Sequence, residues 1–532
     1  MHPTATRGPA PVDSASLPEY SPTTYVDFTT PENRARFEKA LEQVRSQLGR
    51  EHPIVIDGRH IQGGETFAST NPARPSQVIG RFTSATREQA VQAIEAADRT
   101  FATWSRVPAR ERAAYLIEAA RRMKERRHEF SAWMVLEVGK SWGEADADTA
   151  EAVDFMEFYA REMLRYDGMH PVTQLPGERD GLVYVPLGVG AVIPPWNFPL
   201  AICVGMTTAA VVTGNTVVLK PASDSPAIAW QFFALMEEIG LPPGVINFVT
   251  GSGGTVGDTL VRHPRTRFVS FTGSKEVGIG INKLAADVQP GQIWLKRVVA
   301  EMGGKDAIIV DEEADVDAAA QGVAASAFGF QGQKCSACSR AIVSEKVYAA
   351  FLEKLKSLVE KLVTGEPEKA GVYMGPVINQ KARDRILEYI ESGKKDGRVV
   401  AGGGAVPGAE GWLIQPTVIA DIKPGAKIAQ EEIFGPVLAV IPVKSFDEAL
   451  NVANGTEYGL TGAVYTRNPE KIERAKREFF VGNLYINRKC TGAMVGAHPF
   501  GGFNMSGTDS KAGGRDYLLL FLQGKSIAEK LG

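Results

Sequence analysis

The 532-residue sequence is poor in cysteine, with only Cys203, Cys335, Cys338 and Cys490. Four are too few for a disulfide scaffold and are typical of a reducing compartment, so a cytoplasmic protein is expected. An excess of one charge is also missing: Lys plus Arg is 59, Asp plus Glu is 62, and the net charge is −3. Such a balance gives no electrostatic footprint for nucleic acid or an anionic membrane surface. No stretch approaches the roughly 18–20 apolar residues that span a bilayer. The opening Met1-His-Pro-Thr-Ala-Thr-Arg has no apolar core of a secretory leader. No G-x-x-x-x-G-K-[ST] loop is present, which disfavours ATP-driven phosphoryl transfer. What remains is an average globular composition, 44% hydrophobic and 23% charged, in a chain long enough for about three domains. These absences leave an enzyme as the class to test.

Residues 1 to about 30 are rich in Pro, Ser and Thr and predict an extended arm rather than a packed element. Helical spacing begins near 87, after Thr86 as a good N-cap, and continues over about 109–138 and 144–165. From about 186 to 310 the pattern alternates. Apolar, β-branched runs at Gly190-Ala-Val-Ile, Thr216-Val-Val-Leu, Val245-Ile-Asn-Phe-Val, Phe268-Val-Ser-Phe and Ala307-Ile-Ile-Val are separated by amphipathic stretches. Strands alternating with helices predict a mostly parallel, doubly wound sheet, because parallel strands need long crossovers. A second such region runs from about 315 to 487. Its helix near 345–363 carries Val347, Phe351, Leu355, Leu358 and Leu362 as one core-facing stripe.

Several short motifs could carry chemistry. Gly251-Ser-Gly-Gly-Thr-Val-Gly257 and Phe271-Thr-Gly-Ser-Lys-Glu-Val-Gly278 each join a strand to a helix. The first has Val256 where a strict G-x-G-x-x-G needs glycine, but two glycine-containing turns in succession favour a dinucleotide at the strand carboxyl ends. Cys335 and Cys338 form a C-x-x-C. Zinc needs a second ligand pair that Cys203 and Cys490 do not supply, and a thioredoxin-type pair lacks its surrounding pattern. A nucleophilic cysteine fits the polar, glycine-containing setting Gly329-Phe-Gln-Gly-Gln-Lys-Cys335, with Lys334 and Arg340 as nearby sources of positive potential. Asn197 in Pro194-Pro-Trp-Asn-Phe-Pro199 is either a lone amide in a rigid frame or the cap of the next helix. Glu301, before Met-Gly-Gly-Lys305, is a strand-end carboxylate or a solvated loop residue. Lys220, closing Val217-Val-Leu-Lys-Pro, is a ligand-facing strand end or an ordinary solvated lysine.

The order and spacing of Asn197, Lys220, the two glycine turns, Glu301, Cys335 and Glu431-Glu-Ile-Phe-Gly-Pro436 resemble the NAD(P)-dependent aldehyde dehydrogenase superfamily from about residue 50 to the C-terminus. Gly332-Gln-Lys-Cys-Ser-Ala-Cys-Ser-Arg340 and Cys490-Thr-Gly-Ala-Met-Val-Gly-Ala-His-Pro-Phe-Gly-Gly502 are similar to its 1-pyrroline-5-carboxylate (glutamate γ-semialdehyde) dehydrogenases. The resemblance implies oxidation of L-glutamate γ-semialdehyde to L-glutamate, the second step of proline degradation. Cys335 would be the nucleophile, and Asn197 with the Cys335 backbone N–H an oxyanion hole, worth about 3–4 kcal/mol per donor in other enzymes. Glu301 would be the base that activates water against the resulting thioester.

By the same resemblance, Ile193, Trp196, Lys220, Ser223, Gly257, Thr272, Gly273, Ser274, Glu432 and Phe434 would bind the cofactor. NAD is expected as the main cofactor. Many NAD-preferring relatives have Glu where this chain has Ser223, so NADP use is left open. Phe198, Ser336, Gly492, Ala493, Phe500 and Glu144 would bind substrate, and no metal is implied. The implied fold is α/β and aldehyde dehydrogenase-like. It comprises an N-terminal arm over 1–50, a Rossmann-type NAD-binding domain over 51–167 and 187–298, and a catalytic domain over 299–487. A small β oligomerisation arm over 168–186 and 488–532 implies a homodimer or higher homo-oligomer. Rival readings are a different semialdehyde substrate, a CoA-acylating enzyme, which Glu301 argues against, and a non-catalytic scaffold.

Overall fold

Strand and helix alternation between about 186 and 310 appears as a seven-stranded sheet in the computed structural model, which describes residues 8–13, 15 and 17–531. Its spatial order is Arg297–Glu301, Thr266–Thr272, Val189–Ile193, Thr216–Leu219, Ile246–Phe248, Ile54–Ile56 and Arg59–Ile61. The first five run parallel, Ile54–Ile56 pairs antiparallel with the fifth, and Arg59–Ile61 pairs antiparallel with Ile54–Ile56. Val189–Ile193 is met first in the chain among the parallel five and sits at their centre. Chain order therefore reverses on its two sides, creating the switch point at which open α/β sheets bind ligands. Alternate residues serve opposite faces. Val217 and Leu219 pack with helices Ala201–Val212 and Pro226–Glu238, whereas Val218 packs with Arg87–Trp104.

A second seven-stranded sheet follows the order Arg398–Ala401, Thr417–Ala420, Val437–Val443, Arg340–Ser344, Ala307–Val310, Thr461–Tyr465 and Asn483–Ile486. Only its first pairing is antiparallel. Helices cover both faces. The helix expected near 345–363 spans Tyr348–Val359 and buries Phe351 and Leu355, with Val347, Leu358 and Leu362 partly buried beside them. A separate three-stranded sheet pairs Leu522–Lys530 with Glu178–Pro186, and that strand with Met169–Pro171.

Several expectations change. Residues 31–50 are not part of an arm: Pro31–Arg45 is a helix whose Phe37, Leu41 and Val44 lie in the core. The described residues before it lack helix and strand but are packed. Tyr20 and Phe28 lie on the core, the Thr23 N–H and hydroxyl donate to Asp154, and the Val26 N–H donates to Asp146. Five strands between Arg50 and Thr83 precede the helical spacing that begins near 87. The 109–138 helix is two, Ala109–Glu125 and Arg127–Val138, because Arg126 leaves helical geometry at φ −104°, ψ 19°. Residues 488–521 do not stay with the arm. Cys490 enters the second sheet's core, while Val495, Tyr517 and Phe521 enter the first. Only Leu522–Lys530 joins the hairpin, and the first sheet runs to Glu301 rather than stopping at 298. Among the described residues no helix is long and apolar enough to cross a membrane.

Candidate active site

At the carboxyl end of Val189–Ile193, the Pro194–Pro199 turn leads into helix Ala201–Val212. Asn197 does not cap that helix, whose start has no side-chain cap. It is 4% exposed, and its Nδ2 donates to the Gln333 carbonyl at 3.1 Å. The turn is thereby tied to the segment that presents Cys335.

That segment is held in an uncommon shape. Phe330, Gln331 and Gly332 take left-handed backbone at φ 48°, 57° and 64°, a region costly for non-glycine residues. Side-chain amides hold it in place. Gln331 Nε2 donates to the carbonyls of Gly139 and Pro376 at 3.1 and 2.8 Å, and Gln333 Oε1 accepts the Ile378 N–H at 2.9 Å. Close backbone approach requires glycine: a Cβ on Gly332 would lie 2.3 Å from the Gly435 carbonyl, and one on Gly304 2.4 Å from that of Cys335. Cys335 is half-buried and lines a cavity of about 660 Å³.

The same cavity brings together Glu301, Phe198, Ser336, Gly492, Ala493 and Phe500, with Glu144 also in its wall. Thr272, expected among the cofactor residues, lines it too. Glu301 is not a solvated loop residue. It closes the edge strand of the first sheet, is 9% exposed, and burial pushes its carboxyl up to about 8. The Cys335 thiol is held well above its ordinary range by burial, reinforced by Asp306, Glu432 and Glu301, while the Ser336 backbone N–H pulls the other way. The expected cations do not reach it. Lys334 is engaged by Glu144 at 2.7 Å, and buried Arg340 donates to the carbonyls of Lys305, Val452 and Ala453. Cys338 lies in the core and does not share the cavity.

Sequence reasoning missed Glu151. It lies on helix Trp142–Tyr166 and lines the cavity with Glu144, Ala147 and Phe155, a spacing that puts all four on one helix face. Unlike Glu144 it forms no hydrogen bond or salt bridge among the described residues, and burial pushes it up to about 8. The signal was the i, i+3, i+7, i+11 pattern, legible only once one member was seen to line the cavity.

The remaining cofactor candidates lie outside this cavity. Lys220 is not an ordinary solvated lysine: it is 5% exposed, and burial lowers its amine to about 8. A Cβ on Gly257 would come within 3.9 Å of its side chain, so the first glycine turn and Lys220 adjoin. Ser223 is exposed, and Ser274 caps helix Lys275–Ala286 by accepting the Val277 N–H. The Gly273 N–H donates to the Glu301 carbonyl. Glu432 accepts the Gly304 N–H at 3.0 Å, and Trp196 meets Phe434 edge-on, with centroids 5.5 Å apart, beyond the end of Val189–Ile193 where Ile193 sits. Among the described residues no group of His, Cys, Asp and Glu is arranged to hold a metal.

Known proteins are similar to this chain in fold and sequence. Residues 60–527 match the aldehyde dehydrogenase family model. The chain is 57% identical over 505 residues to a 1-pyrroline-5-carboxylate dehydrogenase of Geobacillus thermodenitrificans (strain NG80-2), covering 95% of this chain and 98% of that one. A crystal structure of 1-pyrroline-5-carboxylate dehydrogenase from Thermus with bound NAD superposes with a TM-score of 0.95 at 50% identity, covering 97% of this chain and all of that one. Betaine aldehyde dehydrogenase from Staphylococcus aureus, in complex with NAD+, gives 0.86 at 31% identity over 92% of this chain and 97% of its own. With a thiol, a buried carboxylate and a switch-point cleft in one fold, the chain belongs to the aldehyde dehydrogenase family.

Proposed function

We propose that this chain is an L-glutamate γ-semialdehyde dehydrogenase, which takes the open form of 1-pyrroline-5-carboxylate to L-glutamate with NAD. The observation that carries the reading is the single cavity holding Cys335, Glu301 and the Gly492–Ala493 loop. The Cys335 thiolate attacks the aldehyde carbon, forming a C–S bond and a negative oxygen. The Asn197 amide and the Cys335 backbone N–H stabilise that charge. The chemistry that bound NAD would supply is to accept the hydride lost as the Cys335 thiohemiacetal becomes a thioester. Glu301 then takes a proton from water, whose oxygen attacks the thioester carbonyl. The C–S bond breaks, returning Cys335 as thiolate and leaving glutamate's side-chain carboxylate.

The substrate is an amino acid, so both its charges need partners. The Gly492 and Ala493 N–H groups and the Ser336 hydroxyl, which make no other hydrogen bond among the described residues, hold the α-carboxylate. The unpaired Glu151 side chain, which burial holds up to about 8, ionises against the α-ammonium and so takes it, since Glu144 is occupied by Lys334. Phe198 and Phe500 flank the aliphatic stem. For the cofactor, Lys220 and Glu432 hold the two riboses, Gly257, Gly273 and Ser274 line the pyrophosphate path, and Trp196 and Phe434 pack beside it. The buried Lys220 amine, which among the described residues bonds only to the Pro221 carbonyl at 3.2 Å, fits a hydroxyl-rich ligand. The first sheet with its helices is the cofactor domain and the second the catalytic domain. The three-stranded sheet is the arm of a homodimer or larger assembly in the cytoplasm.

The test is NADH formation at 340 nm with glutamate semialdehyde beside a panel of aliphatic aldehydes. The wild type is expected to favour the amino-acid aldehyde, and Cys335→Ala to lose turnover on all of them. Preferred turnover of a simple aliphatic aldehyde would retain the thiol chemistry and discard the substrate.

A further inference from the structure

We propose that Ser510 is a positioning residue for thioester hydrolysis, its hydroxyl holding one oxygen of Glu301 so that the other is free to take the proton from water. The inference rests on the reading of Glu301 as the base. Ser510 is 2% exposed, and its Oγ donates to Glu301 Oε1. Glu301 Oε2 is buried and has no hydrogen-bond partner among the described residues. The Gly502 backbone N–H also favours the ionised carboxyl, and the two oxygens differ: Oε1 is held by the serine and Oε2 is unpaired.

The serine is itself rigidly placed. The Thr508 N–H donates to the Ala300 carbonyl at 2.9 Å, and the Thr508 hydroxyl accepts the Ala300 N–H at 3.0 Å. These bonds splice the segment onto the strand that ends in Glu301. On the other side of Ser510, the Lys511 amine donates to the carbonyls of Gly482 and Gly501. Only glycine permits the wrap, since a Cβ on Gly501 would lie 2.9 Å from Glu301 Oε1 and one on Gly507 3.2 Å from Oε2.

The charged and titratable groups facing Glu301 are Lys511, which favours its ionised form, Asp509, which opposes it, Tyr517 and Cys335. The serine hydroxyl adds a donor to the ionised form and offsets part of the burial that pushes this carboxyl up to about 8. Without the donor the base is ionised only at higher pH.

The experiment uses the full chain with NAD and glutamate semialdehyde, following NADH by stopped flow from pH 6 to 10 in wild type, Ser510→Ala, Ser510→Thr and Glu301→Gln. Ser510→Ala is expected to keep the first-turnover burst of NADH while its steady phase slows. The midpoint of the steady phase should move up by about one pH unit, giving roughly eightfold lower turnover at pH 7.5 and convergence with wild type near pH 10. Ser510→Thr should restore the wild-type profile. A Ser510→Ala profile that superimposes on wild type, or that falls equally at every pH, overturns the role of Ser510. A wild-type profile in Glu301→Gln instead overturns Glu301 as the base, and the proposal with it.

Discussion

Burial, reinforced by Asp306, Glu432 and Glu301, holds the Cys335 thiol above its ordinary range, while attack on an aldehyde needs the thiolate. A thiol held above its ordinary range gains reactivity only as pH rises. Alkylation of Cys335 by iodoacetamide in the cofactor-free enzyme should therefore climb without a plateau below pH 9. Removing one of the opposing charges should help: Glu432→Gln is expected to speed alkylation at pH 8 by roughly twofold to fivefold. Mass spectrometry, with Cys335→Ala as the blank, checks the site. Ser223 makes a second residue-scale test. It is exposed three positions after Lys220 and brings no negative charge toward a 2′-phosphate. Measurable NADP turnover is expected in the wild type, and Ser223→Glu should suppress it at least tenfold through like-charge repulsion while sparing NAD. Initial rates with each cofactor decide it. That Cys335 and Glu301 would share one cavity was legible only from the order and spacing of several motifs together, because each motif alone left a structural reading open. Glu151 and Ser510 were not legible: one gains meaning from a helix face, the other from a partner 209 residues away.

The helix Trp142–Tyr166 shows how an element divides its work. Glu144, Ala147, Glu151 and Phe155 face the cavity, while Asp146 and Asp154 receive the N-terminal segment and Asp148 accepts the Ala201 N–H at 2.6 Å. Glu151→Gln keeps the size and removes the charge, so KM for glutamate semialdehyde should rise about tenfold or more while that for an aliphatic aldehyde stays put. Equal changes in both would show that the residue serves packing instead. The clearest elements to read were those with strong local chemistry. Thr86 forms a full capping box with Gln89, and the parallel strands are nearly continuous apolar runs. The strands between Arg50 and Thr83 escaped notice because most are only three to six residues long and half-exposed, so neither apolar runs nor clean alternation marks them. The Arg127–Val138 helix ends where Gly139 takes φ 72°, but the break at Arg126 has no glycine or proline to announce it.

On the scale of the whole molecule, the three-stranded sheet carries an outer strand paired on one side only, with Met169, Val172 and Leu175 exposed on its hairpin. An unpaired edge with exposed apolar side chains is poorly suited to solvent. Light scattering should find a dimer or a larger assembly, and removal of residues 522–532 should lower that mass. An unchanged mass after truncation would place the assembly contact elsewhere.

The cavity takes its walls from Tyr25 near one end of the sequence and Tyr517 near the other. A polypeptide emerging from the ribosome carries the cysteine long before it has the late segment, with Gly492, Phe500 and Tyr517, that completes the cavity wall. The cavity is thus complete only in a copy whose synthesis has nearly finished.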